Sequence, residues 1–573
     1  MASKAAAKSP AAKTLEGGVS YQAAGLGYFE DRELRRHAGV FYLWALGVAA
    51  VISGDFSGWN LGFAVGGWGG MFVGAVIITI MYLGLTYSIA EMSPALPHTG
   101  GAYSFARTAF GPWGGFITGV AENIEYVLTP AVIVYFIGAY LTAIFGTPAT
   151  WQPYYWIAGY IIFVTANSRG VELSFMVTAM VTLLAIGVLV TFFVSALPYI
   201  DFSRYALNIG VDPETGAAVQ LPEGGGPFLP FGVYGVLAAM PFAVWLFLAI
   251  EQLPLAAEES VDPKRDMPKG IMAGMFTLIA LGFLVLIINP SIPVTRVVTD
   301  ALGGTETVTG AFALGTSAEP ILDGFRAIFE LYAAGALSLA AVVGLVASFH
   351  AITFAGGRQI YSLSRAGYFP HFLSVTHPKH KTPNVALVAA ALIGLAVMLV
   401  VWFTMGGQNA GAFIGGVLLN MAVFGAMFSY LLQALTFIQL RRRFPHIERP
   451  FRSPFGIPGA MLTVIIAAVT IGFQLADPVY RTGVIGVAIW YGLTILYFAV
   501  HGRNTLVLSP EEEFALRHRD QGSNQAPRKA LPRKRAKAAP RKTASKTTKA
   551  PRKTAKTAKS TARKRPKSAP RRR

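Results

Sequence analysis

From Ala38 to Val500 the sequence is a succession of long apolar stretches parted by short polar loops, at roughly 38–66, 69–93, 112–145, 153–167, 172–197, 231–256, 270–293, 328–362, 384–404, 411–439, 457–476 and 480–500. A helix needs roughly 20 mostly apolar residues to cross a bilayer, so these twelve stretches predict about twelve spans of an all-α membrane protein. Composition agrees: 53% of the residues are apolar and 13% charged, against about 25% charged in soluble domains. A large soluble enzyme is excluded. The absence of cysteine excludes thiolate metal sites and cysteine nucleophiles. No cleavable signal peptide is visible, because the first apolar stretch begins late and runs too long.

The net charge of +19 is unevenly placed. Residues 521–573 carry 21 Lys and Arg and no acid, which leaves the first 520 residues at −2. Three regions are therefore expected: a polar N-terminal segment 1–37, a transmembrane domain 38–501, and a basic, disordered tail 502–573. Twelve spans put both termini on one side. Arg107, Arg169, Lys264, Arg265, Lys269, Arg358, Arg365, Lys379, Lys381 and Arg441–Arg443 all fall there, while Arg204, Arg296, Arg326 and Arg481 fall opposite. Lys and Arg concentrate in cytoplasmic loops, so a multi-pass protein of the inner (plasma) membrane with both termini cytoplasmic is expected.

Two spans contradict a continuous helix. The first holds Ile52-Ser53-Gly54-Asp55-Phe56-Ser57-Gly58-Trp59, and the sixth holds Trp245 and Glu251 between Pro241 and Pro254. Interruptions inside a bilayer are tolerated where the freed backbone lines a cavity. A pair of them in equivalent positions of two halves points to a transporter's binding site. Spans one and six are five apart, as a five-plus-five inverted repeat requires; relief of packing by Gly and Pro is the bland alternative.

Intramembrane acids are costly and mark function. Asp55 lies at the first break, Glu122 and Glu125 share one face of the third span, and Glu251 lies in the sixth; no Lys or Arg sits centrally in these spans. Such an interior favours a cation or protons. At a broken first helix the exposed amides usually receive a substrate carboxylate. Asp55 would supply that negative charge from the protein, so the expected ligand has an ammonium and no carboxylate. A helix cap is the alternative reading of Asp55, and bonding to neighbouring helices that of the glutamates. Trp245 fits a lid over an ammonium by cation–π attraction, or ordinary packing; Glu251 and Glu125 are candidates for gating and proton coupling. The candidate binding set is Ser53, Gly54, Asp55, Phe56, Ser57, Glu122, Glu125 and Trp245. No catalytic or metal-ligating residue and no cofactor is expected, and the chain is not expected to be an enzyme. Glu91 and His98 are expected to organise loops.

Three segments carry a family resemblance: Glu91-Met92-Ser93-Pro94 with Pro97–Tyr103 and Phe110-Gly111-Pro112-Trp113; Glu258–Pro268; and Gly357-Arg358 to Ser364–Pro370. Together they resemble amino acid–polyamine–organocation permeases over about residues 30–505. Ser53–Asn60 and Ala121-Glu122-Asn123-Ile124-Glu125-Tyr126 resemble the ethanolamine permease branch. The resemblance implies a LeuT-like fold with helices 1 and 6 broken. It places Asp55 where relatives bind the substrate carboxylate, Trp245 at the gating aromatic and Glu251 at the gate acid. Import of a small amine, ethanolamine first, by alternating access and proton symport is the expectation. An amino acid permease of the same superfamily is the alternative. A membrane-anchored tether binding nucleic acid or anionic lipid through the tail is a reading from another class. The fifth span lacks the lysine with which some relatives replace sodium, and Ser348 and Thr353 are weak sodium-ligand candidates.

Overall fold

The computed structural model describes residues 14–25, 27–299, 304–329, 331–405 and 414–522. The basic run 523–573, and with it the tail's expected partners, lies outside the described residues. Among the described residues, ten helices are long and apolar enough to cross a membrane. The shorter apolar helix α1 (Val40–Phe56) precedes them, and a 17-residue helix, Gln152–Ser168, lies where the fourth apolar stretch was expected.

The helices follow in chain order: α2 (Phe63–Ala95), α3 (Gly101–Phe110, between spans two and three), α4 (Pro112–Phe145), α5 (Gln152–Ser168), α6 (Val171–Ala196) and α7 (Gly232–Trp245). After α7 come a 3₁₀ segment Ile250–Glu259, α8 (Pro263–Ile288), α9 (Gly310–Gly315), α10 (Pro320–Ile328), α11 (Leu331–Arg365) and α12 (Asn384–Met405). The series closes with α13 (Leu419–Arg443), α14 (Gly456–Ala476), α15 (Arg481–Val500) and α16 (Pro510–Gly522). Short strands decorate the two faces. Strands β1 (Thr14–Glu16) and β2 (Val19–Gln22) lie near the N-terminus, and β3 (Ile209–Val211) with β4 (Ala218–Gln220) forms one opposite-face hairpin. Strands β5 (Thr295–Thr299) and β6 (Thr305–Thr309) form a second hairpin there.

The first span breaks where its sequence stops favouring a helix. After α1, Ser57 is extended and Gly58 adopts φ +95°, a left-handed conformation open to glycine. A 3₁₀ turn, Trp59–Gly62, follows, and the chain bends again at Gly67 within α2. The sixth span breaks at 246–249, not at either proline. Pro241 is accommodated within α7 and Pro254 within the 3₁₀ segment. The turn is made instead by Ala249 at φ +80°, a conformation that costs a non-glycine residue roughly 1–2 kcal/mol. The two breaks touch: a Cβ on Gly54 would lie 2.5 Å from the Trp245 carbonyl oxygen, so the backbones cross at a distance only glycine permits.

The face carrying the termini departs from the expectation of a tail beginning at residue 502. β2 pairs in parallel with β7 (Leu506–Val507), and α16 packs under the bundle. Residues 14–25 and 502–522 are thus part of the fold, because α16 brings charges that the bundle needs. Glu512 is fully buried with Arg107 at 2.6 Å, and it accepts hydrogen bonds from Tyr21 (2.6 Å) and Tyr368 (2.8 Å). Burial, then the Glu512 carboxylate, pushes the Tyr21 phenol above its ordinary range, so it remains a donor. Glu511 pairs with Arg365 at 3.0 Å, and Arg365 also holds Glu258 at 2.6 Å. Glu91 joins α2 to the α13–α14 corner through Arg441 (2.5 Å), Arg449 (3.1 Å) and the Ser453 amide (2.7 Å).

His98, in the loop before α3, lies edge-on to Phe514 of α16. Burial lowers its pKa despite Glu511 and Glu258 nearby, so the fold favours the neutral ring. The stability this confers is present above the unfolded pKa of about 6.5. It is lost as pH falls through the lower folded value. Thermal melts in detergent should therefore show an acid-side loss that shrinks in His98→Gln; equal losses in both proteins would remove His98 from the account.

Candidate functional site

At the first break, side chains take up the carbonyls that the interrupted helix frees. Tyr140 of α4 donates to the Phe56 carbonyl at 2.7 Å, and the Trp245 indole N–H donates to that of Ser57 at 2.9 Å. The Gly58 amide donates to Asn60 Oδ1 at 3.0 Å. From the opposite face the α9–α10 loop closes over the break: Asn60 donates to the Leu314 and Ser317 carbonyls, and the Ser57 hydroxyl to Ala318. Arg296 braces this loop through Glu319 (3.1 Å) and Asp323.

Asp55 occupies the last turn of α1, wholly buried, and neither carboxylate oxygen has a hydrogen-bond partner among the described residues. Its Oδ1 faces α8, 3.5 Å from where a Cβ on Gly282 would stand, with the Phe247 ring alongside. It is not a helix cap, since the residue closing α1 is Ser57, whose amide returns to the Ser53 carbonyl.

The three glutamates form a separate cluster. Glu122 accepts from Gln359 of α11 at 2.9 Å. Glu125 and Glu251 share the Tyr430 hydroxyl of α13, at 3.3 and 2.8 Å, and Tyr126 donates to the other oxygen of Glu251 at 3.0 Å. Tyr82 of α2 lies 3.3 Å from Tyr430. The third, sixth and tenth spans thus converge on one acid–phenol group, and Asp55 shares no hydrogen bond with it.

The other candidates line the break. The Ser53 amide donates to Ser348 Oγ (2.8 Å), whose hydroxyl donates in turn to the Ala49 carbonyl (2.6 Å). Ser348 therefore bridges one amide-to-carbonyl step within α1, from Ser53 to Ala49, and Thr353 bonds back to its own helix at Phe349; both hydroxyls are committed to backbone. Gly54 and Phe56 pack in the core, and Trp245 is pinned to the first break rather than hanging free. Tyr82, Tyr126, Tyr430 and Gln359 went unremarked in the sequence because tyrosine and glutamine carry no periodic signal. Tyr126, next to Glu125, and Gln359, within the stretch from Gly357 to Pro370, fall in segments that carry the family resemblance, but neither was given a role there.

The seating of Trp245 makes Gly58 critical. A Cβ there would fall 2.6 Å from the indole nitrogen, on a left-handed backbone. Gly58→Ala is expected to cost about 1–3 kcal/mol and to dislodge the Trp245–Ser57 bond. Tryptophan fluorescence and thermal melting of the purified variant test this.

Paired interruptions five spans apart, meeting in the middle of a helical bundle, are the plan of a secondary transporter. Residues 39–500 match the amino acid permease family, and the chain belongs to it. It is 26% identical over 482 residues to an uncharacterized transporter of Rhizobium meliloti (strain 1021), covering 81% of this chain and 92% of that protein. It is 23% identical to a methylthioribose transporter of Bacillus subtilis (strain 168), covering 83% and 96%. A branched-chain amino acid permease of the same organism is 25% identical, covering 75% and 85%.

Proposed function

We propose that this permease imports a small amine without a carboxylate, ethanolamine being the best fit, by alternating access coupled to protons. Asp55 carries the reading. A fully buried carboxylate without a partner is expensive, and an ammonium seated against it would supply the missing charge and donors. A break of this kind receives a substrate carboxylate elsewhere; here the last turn of α1 carries a carboxylate of its own, so a ligand bearing another would meet a like charge.

The glutamate cluster supports the coupling. Tyr430 has one hydroxyl hydrogen for two carboxyl groups, and its shorter contact is to Glu251. The longer contact becomes a hydrogen bond when Glu125 carries a proton and donates it. Glu125 and Glu251 thus offer one shared proton seat between the third and sixth spans, directly after the sixth break. Glu251 serves as the gating acid and Glu122 as its neighbour held by Gln359. In this reading the positive loops place both termini in the cytoplasm of a cell whose plasma membrane the protein spans.

The relatives' names favour an amino acid as the second reading, and one experiment separates the two. Uptake of labelled ethanolamine into proteoliposomes should be driven by an inward proton gradient and inhibited best by unlabelled ethanolamine. Stronger inhibition by alanine than by ethanolamine would overturn the amine assignment, and indifference to the gradient would overturn the coupling.

A further inference from the structure

A groove of about 380 Å³ opens on the face carrying the termini, between the N-terminal segment, the α5–α6 corner and the loop after α11. Arg35, Arg169, Lys379 and His380 line it, with Glu172 as the one carboxylate. Among the described residues, Arg35, Arg169 and Lys379 have no ion-pair partner. The buried and half-buried arginines of this face, Arg107, Arg358, Arg365 and Arg441, are paired, and what sets the three groove cations apart from other exposed ones is that they share one concavity. Three like charges brought to one concavity repel one another unless an anion joins them. Two guanidinium forks and an ammonium match the oxygens of a phosphate.

The groove also reaches apolar ground. Met176 lines it, and Met176, Met180, Leu183 and Leu184 follow at helical spacing as an exposed stripe running away along α6. A soluble phosphate would use only the cations, whereas a lipid uses both parts. We propose that this groove is a binding site for the phosphate headgroup of an anionic phospholipid, whose acyl chain lies along Met176–Leu184. The orientation given above makes this leaflet cytoplasmic. The assignment is independent of the transported substrate, and its test involves no transport.

The full-length protein is reconstituted with phosphatidylglycerol carrying a photoreactive group in its acyl chain, irradiated, digested and mapped. Labelling is expected on α6 between Leu173 and Leu184. It should fall at least about tenfold in Arg35→Gln/Arg169→Gln/Lys379→Gln, three exposed positions whose folding is checked by thermal melting. A control triple at other exposed cations of the same face, Arg442→Gln/Arg443→Gln/Arg503→Gln, should label as the parent does. Mapping by peptide separates this site from lipid held by the basic tail. Equal labelling with the phosphatidylcholine analogue, undiminished labelling in the groove triple, or equal loss in the control triple would each overturn the proposal. Displacement by inorganic phosphate alone would assign the groove to a soluble anion instead.

Discussion

With Asp55 replaced by asparagine, ethanolamine uptake is expected to fall at least about 30-fold while the protein folds and inserts normally. The carboxylate is buried and unpartnered, and losing the charged partner of a desolvated ammonium costs about 2–5 kcal/mol, or a factor of ten for each 1.4 kcal/mol. Asparagine keeps the shape, and removing an isolated buried charge does not destabilise the apo protein. The expected signature is therefore weakened or abolished ethanolamine binding with a melting temperature equal to or above that of the parent. Unchanged affinity would show that Asp55 does not meet the ligand. A lowered melting temperature would mean that the carboxylate has a structural partner after all.

The second large effect lies on the face carrying the termini. Glu512→Ala strips the carboxylate from the fully buried Arg107 and the acceptor from Tyr21 and Tyr368. Breaking one side of a buried ion pair costs about 3–5 kcal/mol. The variant should melt lower in detergent and expose α16 to trypsin at Arg517, which lies in the same helix. Glu513→Ala, whose partner Arg517 is exposed, should lose no more than about 0.5 kcal/mol. Equal protease resistance in the two variants would show that α16 does not depend on the Glu512 contacts.

The all-helical membrane bundle and the location of the first break were legible because both rest on composition: long apolar runs, then Gly-Asp-Phe-Ser-Gly at bilayer depth. The sixth break was placed only within its proline bracket. The residue that turns the chain, Ala249, belongs to a type that seldom adopts a left-handed conformation, so no sequence rule points to it. Packing across the crossing with Gly54 holds it there. The acids were found from their cost in a membrane, but their grouping was not. Glu122 and Glu125 share a face by spacing alone, whereas Glu251 joins them through Tyr430, more than 170 residues away in sequence.

The docked helix after residue 509 was misread because the basic run beyond it dominated the composition. Ser509-Pro510-Glu511-Glu512 carries a legible helix start, with Pro at the first position and an acid three residues after Ser. What sequence could not show is that its two acids have buried arginines waiting for them.

That arrangement has a bearing on how the protein is made. Arg107 and Arg365 are synthesised and inserted long before Glu511 and Glu512 leave the ribosome, and β2 waits just as long for β7. This face is therefore latched only after the spans that precede it have been made. A nascent chain with these spans already threaded still has an unlatched underside, open to quality-control proteases until Pro510–Gly522 arrives.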